Sequence, residues 1–263
     1  MPSWELASAI FFTYVAVAAV ALRRIDRGVR LRVLGGACLG VALDCGALVL
    51  PSGSFARTWI LPPLLLVCAY WTSGGLFVAP MPRAEYFLER ADAALRIDRI
   101  AAATPRPIAE ALECAYSSVY AVIPIALLVA LGNGVDGERF WSVVLLTDYI
   151  CFACLPWIQT RPPRAFRLGD PWRSSWRAIN RRMLDASSIQ VNTFPSGHAA
   201  EALAAVLLTS GASMPTVVGM SIAALAISAG AVFGRYHYAL DAVAGWLVAL
   251  AVYGVASTSF RLM

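Results

Sequence analysis

The chain has 263 residues, of which 59% are hydrophobic and only 14% charged, and its mean hydropathy is +0.68. That leaves too little polar surface for a soluble domain of this length, and repeated apolar runs near bilayer length predict a multi-spanning helical membrane protein. The net charge is +5 and all 21 basic residues are Arg; because they flank the apolar runs, the partners they predict are anionic headgroups or phosphates and not nucleic acid.

In chain order, spans are expected at about 5–22, 33–50 and 58–80. The first is read as a span and not as a cleavable signal, since no basic segment precedes it and no A-x-A-type site ends it. Residues 81–111 then mix Arg, Asp and Glu with apolar residues. Phe87, Leu88, Ala91, Leu95 and Ile100 would form one face of an interfacial helix. Two more spans follow at 112–131 and 140–158, and then "TRPPR" (160–164). Within 165–191, Asp170 reads as an N-cap with Pro171 at the first helical position. Trp172, Trp176, Ile179 and Met183 recur as a stripe, with Arg173, Arg177 and Arg181 off it. This is either a helix in the headgroup region or one packed on the spans. "PSGH" (195–198) opens a span at 198–214, a further span covers 216–234, and "RYHYALD" (235–241) leads into the last, 239–257.

The expected fold is therefore all-α, a polytopic membrane bundle of about eight spans, since lipid forces every backbone polar group into helical bonds. Eight spans place the arginines of 23–32, 83–106, 161–182 and 235 on one face, 18 of the 21. Arg57, Arg139 and Arg261 lie on the other. The positive-inside rule then puts the Arg-rich face in the cytoplasm of a cell membrane. Six cysteines (38, 45, 68, 114, 151, 154) all lie in apolar runs and read as small apolar filler, the Cys151-x-x-Cys154 spacing included.

Three segments meet on the Arg-rich face. Polyproline II geometry in "RPPR" would project Arg161 and Arg164 from one side as a phosphate clamp. In "PSGH", Ser196 can cap, Gly197 allows close backbone approach, and the free amides favour an anion beside His198. His237 and Asp241, four apart, would share a helix face, the carboxylate fixing the imidazole tautomer, with Arg235 adding charge. Two imidazoles, amides and cations are the parts of phosphoryl transfer without a metal. No metal-ligand spacing such as H-E-x-x-H is present, and no cofactor is expected. Glu201, one turn from His198, is placed to buttress the site, while Asp44 and Asp148 are intramembrane carboxylates left outside it, where pairing with an Arg or a polar neighbour would account for them.

Together these motifs resemble the signature of the type 2 phosphatidic acid phosphatase (PAP2) superfamily of membrane lipid phosphatases and phosphotransferases: K-x6-R-P, P-S-G-H and S-R-x5-H-x3-D. "PSGH" matches in full, and Arg161-Pro162 and His237-x3-Asp241 match in order. The resemblance covers roughly 58–257. It implies two added N-terminal spans (1–57) before a six-helix catalytic core (58–263) with interfacial segments 81–111 and 165–191. It implies His237 as nucleophile, Asp241 as its orienter, His198 as the acid for the leaving oxygen, and Arg161, Ser196 and Gly197 as phosphate ligands. Two signature cations are missing, because Cys154 stands where the Lys belongs and Ala231 where the third-motif Arg belongs. Arg164 and Arg235 are their expected substitutes. "TRPPR" and "YHYALD" look closest to the branch related to inositolphosphoryl-ceramide synthases. The resemblance thus implies a metal-independent phosphatase acting on a membrane phospholipid or prenyl phosphate. The alternatives are a lipid phosphotransferase of the inositolphosphotransferase type and, from another class, a non-catalytic transporter or scaffold. Family members more often carry the site on the periplasmic or luminal face, against the arginine count.

Overall fold

The computed structural model describes residues 3–166 and 169–261; of the predicted positions, Arg167 lies outside them. Each apolar run is a helix: α1 (Trp4–Ala21), α2 (Arg27–Leu48), α3 (Leu61–Gly74, entered through a π-turn at Ala56–Ile60), α6 (Arg106–Gly132), α7 (Gly137–Ala153), α9 (Gly197–Leu208), α10 (Met214–Phe233) and α11 (Ala239–Arg261). The connections supply α4 (Pro82–Ala94), α5 (Ile97–Ala103) and α8 (Ser175–Ser187). Among the described residues there is no strand, only an isolated bridge between Thr160 and Asn192. Five helices, α1, α2, α6, α10 and α11, are long and apolar enough to cross a membrane unaided. The shorter α3, α7 and α9 complete the same polytopic bundle. Helix α9 packs against α6, α7, α10 and α11, and α7 also carries α1, so the N-terminal pair is docked on the bundle. Phe11 stacks on Tyr149 at 4.4 Å there, and Ser8 shares a 2.8 Å hydrogen bond with the Tyr149 hydroxyl.

The short helices are tied at their ends by charge. Arg57, before α3, pairs with Glu5 at the start of α1 and with Glu138 at the start of α7. These three helices therefore run parallel, as an alternating bundle requires, and the Arg-rich connections gather at the opposite end.

Segment 81–111 is two helices and not one. Arg96 breaks it with φ of 55°, a left-handed conformation that an L residue rarely holds within a helix. Phe87, Leu95 and Ile100 are exposed as an interfacial face requires, but Leu88 is buried. The inner face of α4 carries acids: Glu85 and Asp92 are both buried.

Helix α8 starts later than the sequence indicates. Its N-cap is Ser174, whose hydroxyl accepts from Arg177 N at 3.1 Å. Asp170 instead takes the Arg177 and Arg181 guanidiniums at 2.7 and 3.1 Å. Burial alone would raise the Asp170 carboxyl, but these two arginines outweigh it and hold it below the ordinary carboxylate range. The expected polarity is also reversed in part. Arg177 and Asn180 are buried, Trp172 is buried away from the stripe, and Trp176, Ile179 and Met183 remain half-exposed. Polar groups can point inward here because a buried carboxylate, described below, receives them.

Candidate active site

The cap of α9 is built as its sequence indicates. The Ser196 hydroxyl accepts from Ala199 N at 3.4 Å, and Ser196 N donates to the Asp241 carbonyl at 2.9 Å. That bond joins the "PSGH" turn to the start of α11. The contact is close enough that a Cβ on Gly245 would run into the Ser196 carbonyl. His198 follows in the first turn of α9. Its ring stacks on Tyr116 (5.2 Å, 12°) and meets the edge of Tyr120 at 5.9 Å. The His237 ring lies 6.2 Å away. Two contacts of about 3 Å to one reacting group fill such a gap.

His237 and Asp241 are together, though not by sharing a helix face. Helix α11 begins at Ala239, so His237 precedes it and Asp241 is its third residue. The Asp241 Oδ2 accepts from Tyr238 N at 2.9 Å, the reach-back half of a capping box, and sits 3.3 Å from His237 Nδ1. A carboxylate at that position fixes the Nδ1–H tautomer and leaves Nε2 for chemistry.

The arginines divide. Polyproline geometry lasts only through Pro162 (φ −66°, ψ 152°), and a 3-10 turn at Pro163–Ala165 then swings the chain. Arg161 and Arg164 consequently do not project from one side. Arg164 N donates to the Arg235 carbonyl at 3.0 Å, and its guanidinium lies 5.9 Å over the Tyr236 ring and lines a cavity with both histidines. Arg161 makes a two-pronged pair with Glu85, both bonds 3.0 Å, which raises the guanidinium pKa, and its flat face covers Phe166 at 4.2 Å. Helix α10 stops at Phe233, and Arg235 adopts φ of 62°. The helical continuation that would set Arg235 one turn beyond Ala231 therefore does not form. Its side chain pairs with Asp98 at 3.2 Å. Neither Arg161 nor Arg235 lines the cavity.

That cavity, of about 340 Å³, has a polar end and an apolar end. Gly197, His198, His237 and Arg164 form the polar end. From there it runs between α3 and α6, past Tyr70 and Tyr120 to Leu66, Ile123, Leu127 and Trp59. Helices α3 and α6 flank it on either side.

A family model described as the PAP2 superfamily matches residues 87–255. The chain belongs to the PAP2 superfamily. Membership carries a lipid-phosphate activity of the phosphatase or phosphotransferase type. No curated protein and no solved structure shows a significant match.

Around the PAP2 motifs lies a buried cluster that the sequence did not disclose. Glu113 of α6 is 0% exposed. Its Oε1 accepts from Trp172 Nε1 (2.7 Å) and Arg177 Nη1 (2.8 Å), and its Oε2 from the Tyr236 hydroxyl (2.6 Å) and Asn180 Nδ2 (2.7 Å). Arg177 Nη1 also donates to the Gly234 carbonyl at 3.0 Å. Burial, and next the Glu113 charge, push the Tyr236 hydroxyl pKa well up, so it stays a donor. Tyr236 in turn stacks on Tyr116 at 4.1 Å, the ring whose other neighbour is His198. One carboxylate thus fixes α8, the 234–237 turn and, through two rings, the His198 side of the site. The available signal was an acid at the edge of an apolar run.

Proposed function

We propose that this PAP2 superfamily protein is a metal-independent lipid phosphate phosphatase working through a phosphohistidine at His237, with residues 58–263 as its catalytic core. The observation that carries this reading is the His237–Asp241 pair set 6.2 Å, ring to ring, from His198 at the polar end of an apolar groove. A membrane phospholipid or prenyl phosphate would lay its chain in the groove and its phosphoryl group against Arg164, the Ser196 hydroxyl and the Gly197 amide. His237 Nε2 attacks phosphorus, the P–O ester bond breaks, and His198 gives the leaving oxygen its proton. Water then attacks the P–N bond, His198 takes its proton, and inorganic phosphate leaves. In this scheme Arg161 and Arg235 act through the loops they anchor unless substrate draws them from Glu85 and Asp98. The arginine count supports a cytoplasmic site: without Arg161, Arg164 and Arg235 it still stands at about fifteen against three.

Transfer to an alcohol, as in the inositolphosphoryl-ceramide-synthase-like branch, is the second reading. One observation favours it: Met183 and Leu184 of α8 line the cavity, Leu184 packing on Tyr116 and Tyr236 beside the histidines, and transfer needs water kept out. The test uses lipid labelled in its phosphoryl group, with EDTA, with and without inositol, glycerol or diacylglycerol. Label released as inorganic phosphate whatever alcohol is added supports the phosphatase, and acid-labile label on His237 identifies the nucleophile. Label moving into a new ester establishes the transferase instead. Neither product from any lipid phosphate would leave a non-catalytic transporter or scaffold.

A further inference from the structure

Between the phosphoryl end of the cavity and its apolar groove lies a pair of acids that the reaction above does not use. Asp148 of α7 is 1% exposed, lines the cavity, and hydrogen-bonds Glu201 of α9. A bond between two carboxyls requires one proton held between them, so the pair still presents acceptor oxygens. The Oδ2 of Asp148 is buried and receives no donor group among the described residues, which leaves the proton shared with Glu201 to satisfy it. The oxygens of the pair that line the cavity are acceptors, and a buried acceptor needs a donor from whatever occupies the groove. The approach of Asp148 is also built in. A Cβ on Gly197 would lie 2.9 Å from Asp148 Oδ1, so glycine at the first position of α9 is what admits the acid beside the phosphoryl site.

The depth of the pair narrows what it can meet. Glu201 is three residues beyond His198 on α9, about 4.5 Å further along the helix axis. Tyr120 and Tyr70 line the cavity alongside, and only apolar side chains follow toward Leu127 and Trp59. A substrate whose phosphorus sits at His237 and whose chain fills the groove presents to Asp148 and Glu201 the group one or two carbons below the phosphoester oxygen. An ester carbonyl or a bare methylene there gives a carboxylate nothing. A hydrogen-bond donor does.

We propose that Asp148 and Glu201 are a recognition site for a hydrogen-bond donor, hydroxyl or amine, on the lipid backbone next to the phosphoester. Among the lipid phosphates the groove admits, the site favours those that carry such a donor over those that do not. This rests on the phosphatase reading for the placement of phosphorus, so binding is measured apart from turnover. The substrates are three single-chain lipid phosphates identical except at the carbon next to the ester carbon, which bears a hydroxyl, an amine or only hydrogen. Turnover is measured on the natural chain. Affinity is measured on the His237→Ala variant by tryptophan fluorescence, since Trp59 and Trp141 line the groove. Either donor is expected to exceed the deoxy analogue at least about tenfold in kcat/KM and in affinity. The ratio is expected to fall toward one in Asp148→Asn and in Glu201→Gln, each made separately. The larger of the two donor effects distinguishes hydroxyl from amine. A ratio near one in the natural chain overturns the proposal, and so does a tenfold ratio that survives both substitutions. Preferential binding of the donors without turnover of any of the three upholds this site and removes the phosphatase reading instead.

Discussion

Replacing Glu113 with Gln tests whether one buried carboxylate holds the catalytic turn. The change preserves shape but swaps one acceptor oxygen for an NH2 group. Glu113 accepts two donors on each oxygen, so whichever way the amide turns, two donors face a donor. Arg177, buried, loses its one buried charge partner there and keeps the half-exposed Asp170 and the Gly234 carbonyl. Two lost charge-assisted bonds at about 1.5–3 kcal/mol each, with Asp170 retaining part of the ion pair, amount to about 3–5 kcal/mol. The 234–237 turn and α8 are what that energy fixes, and a shift of about 1 Å at a reacting group reduces rate about a hundredfold. The expected result is a clearly lower unfolding midpoint in detergent together with a roughly hundredfold loss of kcat/KM on lipid phosphate. Glu113→Gln with an unchanged midpoint and kcat/KM within twofold of the parent would refute the reasoning.

Arg164→Ala should cost more in kcat/KM than Arg161→Ala, because only the Arg164 guanidinium lines the cavity; equal losses under matched stability would contradict the geometry. In the proposed reaction His237 attacks unprotonated while His198 donates a proton, so kcat/KM should follow a bell in pH, with the alkaline limb lost in His198→Ala when phosphoenzyme formation from a good leaving group is measured. Asp170 is held below its ordinary value of 3.8; a depressed acid stabilises the fold above its unfolded pKa and loses that contribution as pH falls through the folded one. Protection of α8 in hydrogen exchange should therefore weaken below about pH 4 in the natural chain and show no such step in Asp170→Asn.

The helices were legible because a bilayer-length apolar run has few alternatives, and each of the eight runs contains a helix, its ends displaced by up to six residues. Local motifs were legible for a related reason. Ser196, Gly197 and His198 form one helix start, and His237 and Asp241 lie within one turn and its cap, so spacing alone brings them together. What failed was whatever depended on a distant partner. Asp170-Pro171 looked like a helix start until Arg177 and Arg181 drew the carboxylate away and left the cap to Ser174. Arg161 and Arg164 looked like a clamp until a 3-10 turn at Pro163–Ala165 separated them and Glu85, 76 residues before Arg161, took its guanidinium. Glu113 reaches Tyr236 across 123 residues and Asp92 reaches Ala239 across 147. Periodicity carries no record of such pairs.

The distant acids share one pattern. Glu85 holds Arg161, Asp98 holds Arg235, and Asp92 accepts from Ala239 N at 2.9 Å, at the first residue of α11. All three come from α4 and α5, the segment that the sequence offered only as an interfacial face. The connection therefore presents Phe87 and Leu95 outward while its carboxylates brace the first and third motifs. The consequence reaches the chemistry. With Cys154 and Ala231 in place of two signature cations, and Arg161 and Arg235 engaged by carboxylates, Arg164 is the one guanidinium lining the cavity among the described residues. In the proposed reaction the remaining neutralisation comes from the amides at the start of α9, which act within the first turn of a helix, and from the histidines. An anion held chiefly by short-range donors is held by position more than by charge. The braces at Glu85, Asp92, Asp98 and Glu113, which fix those positions, thus matter to phosphoryl recognition as much as the residues that line the cavity.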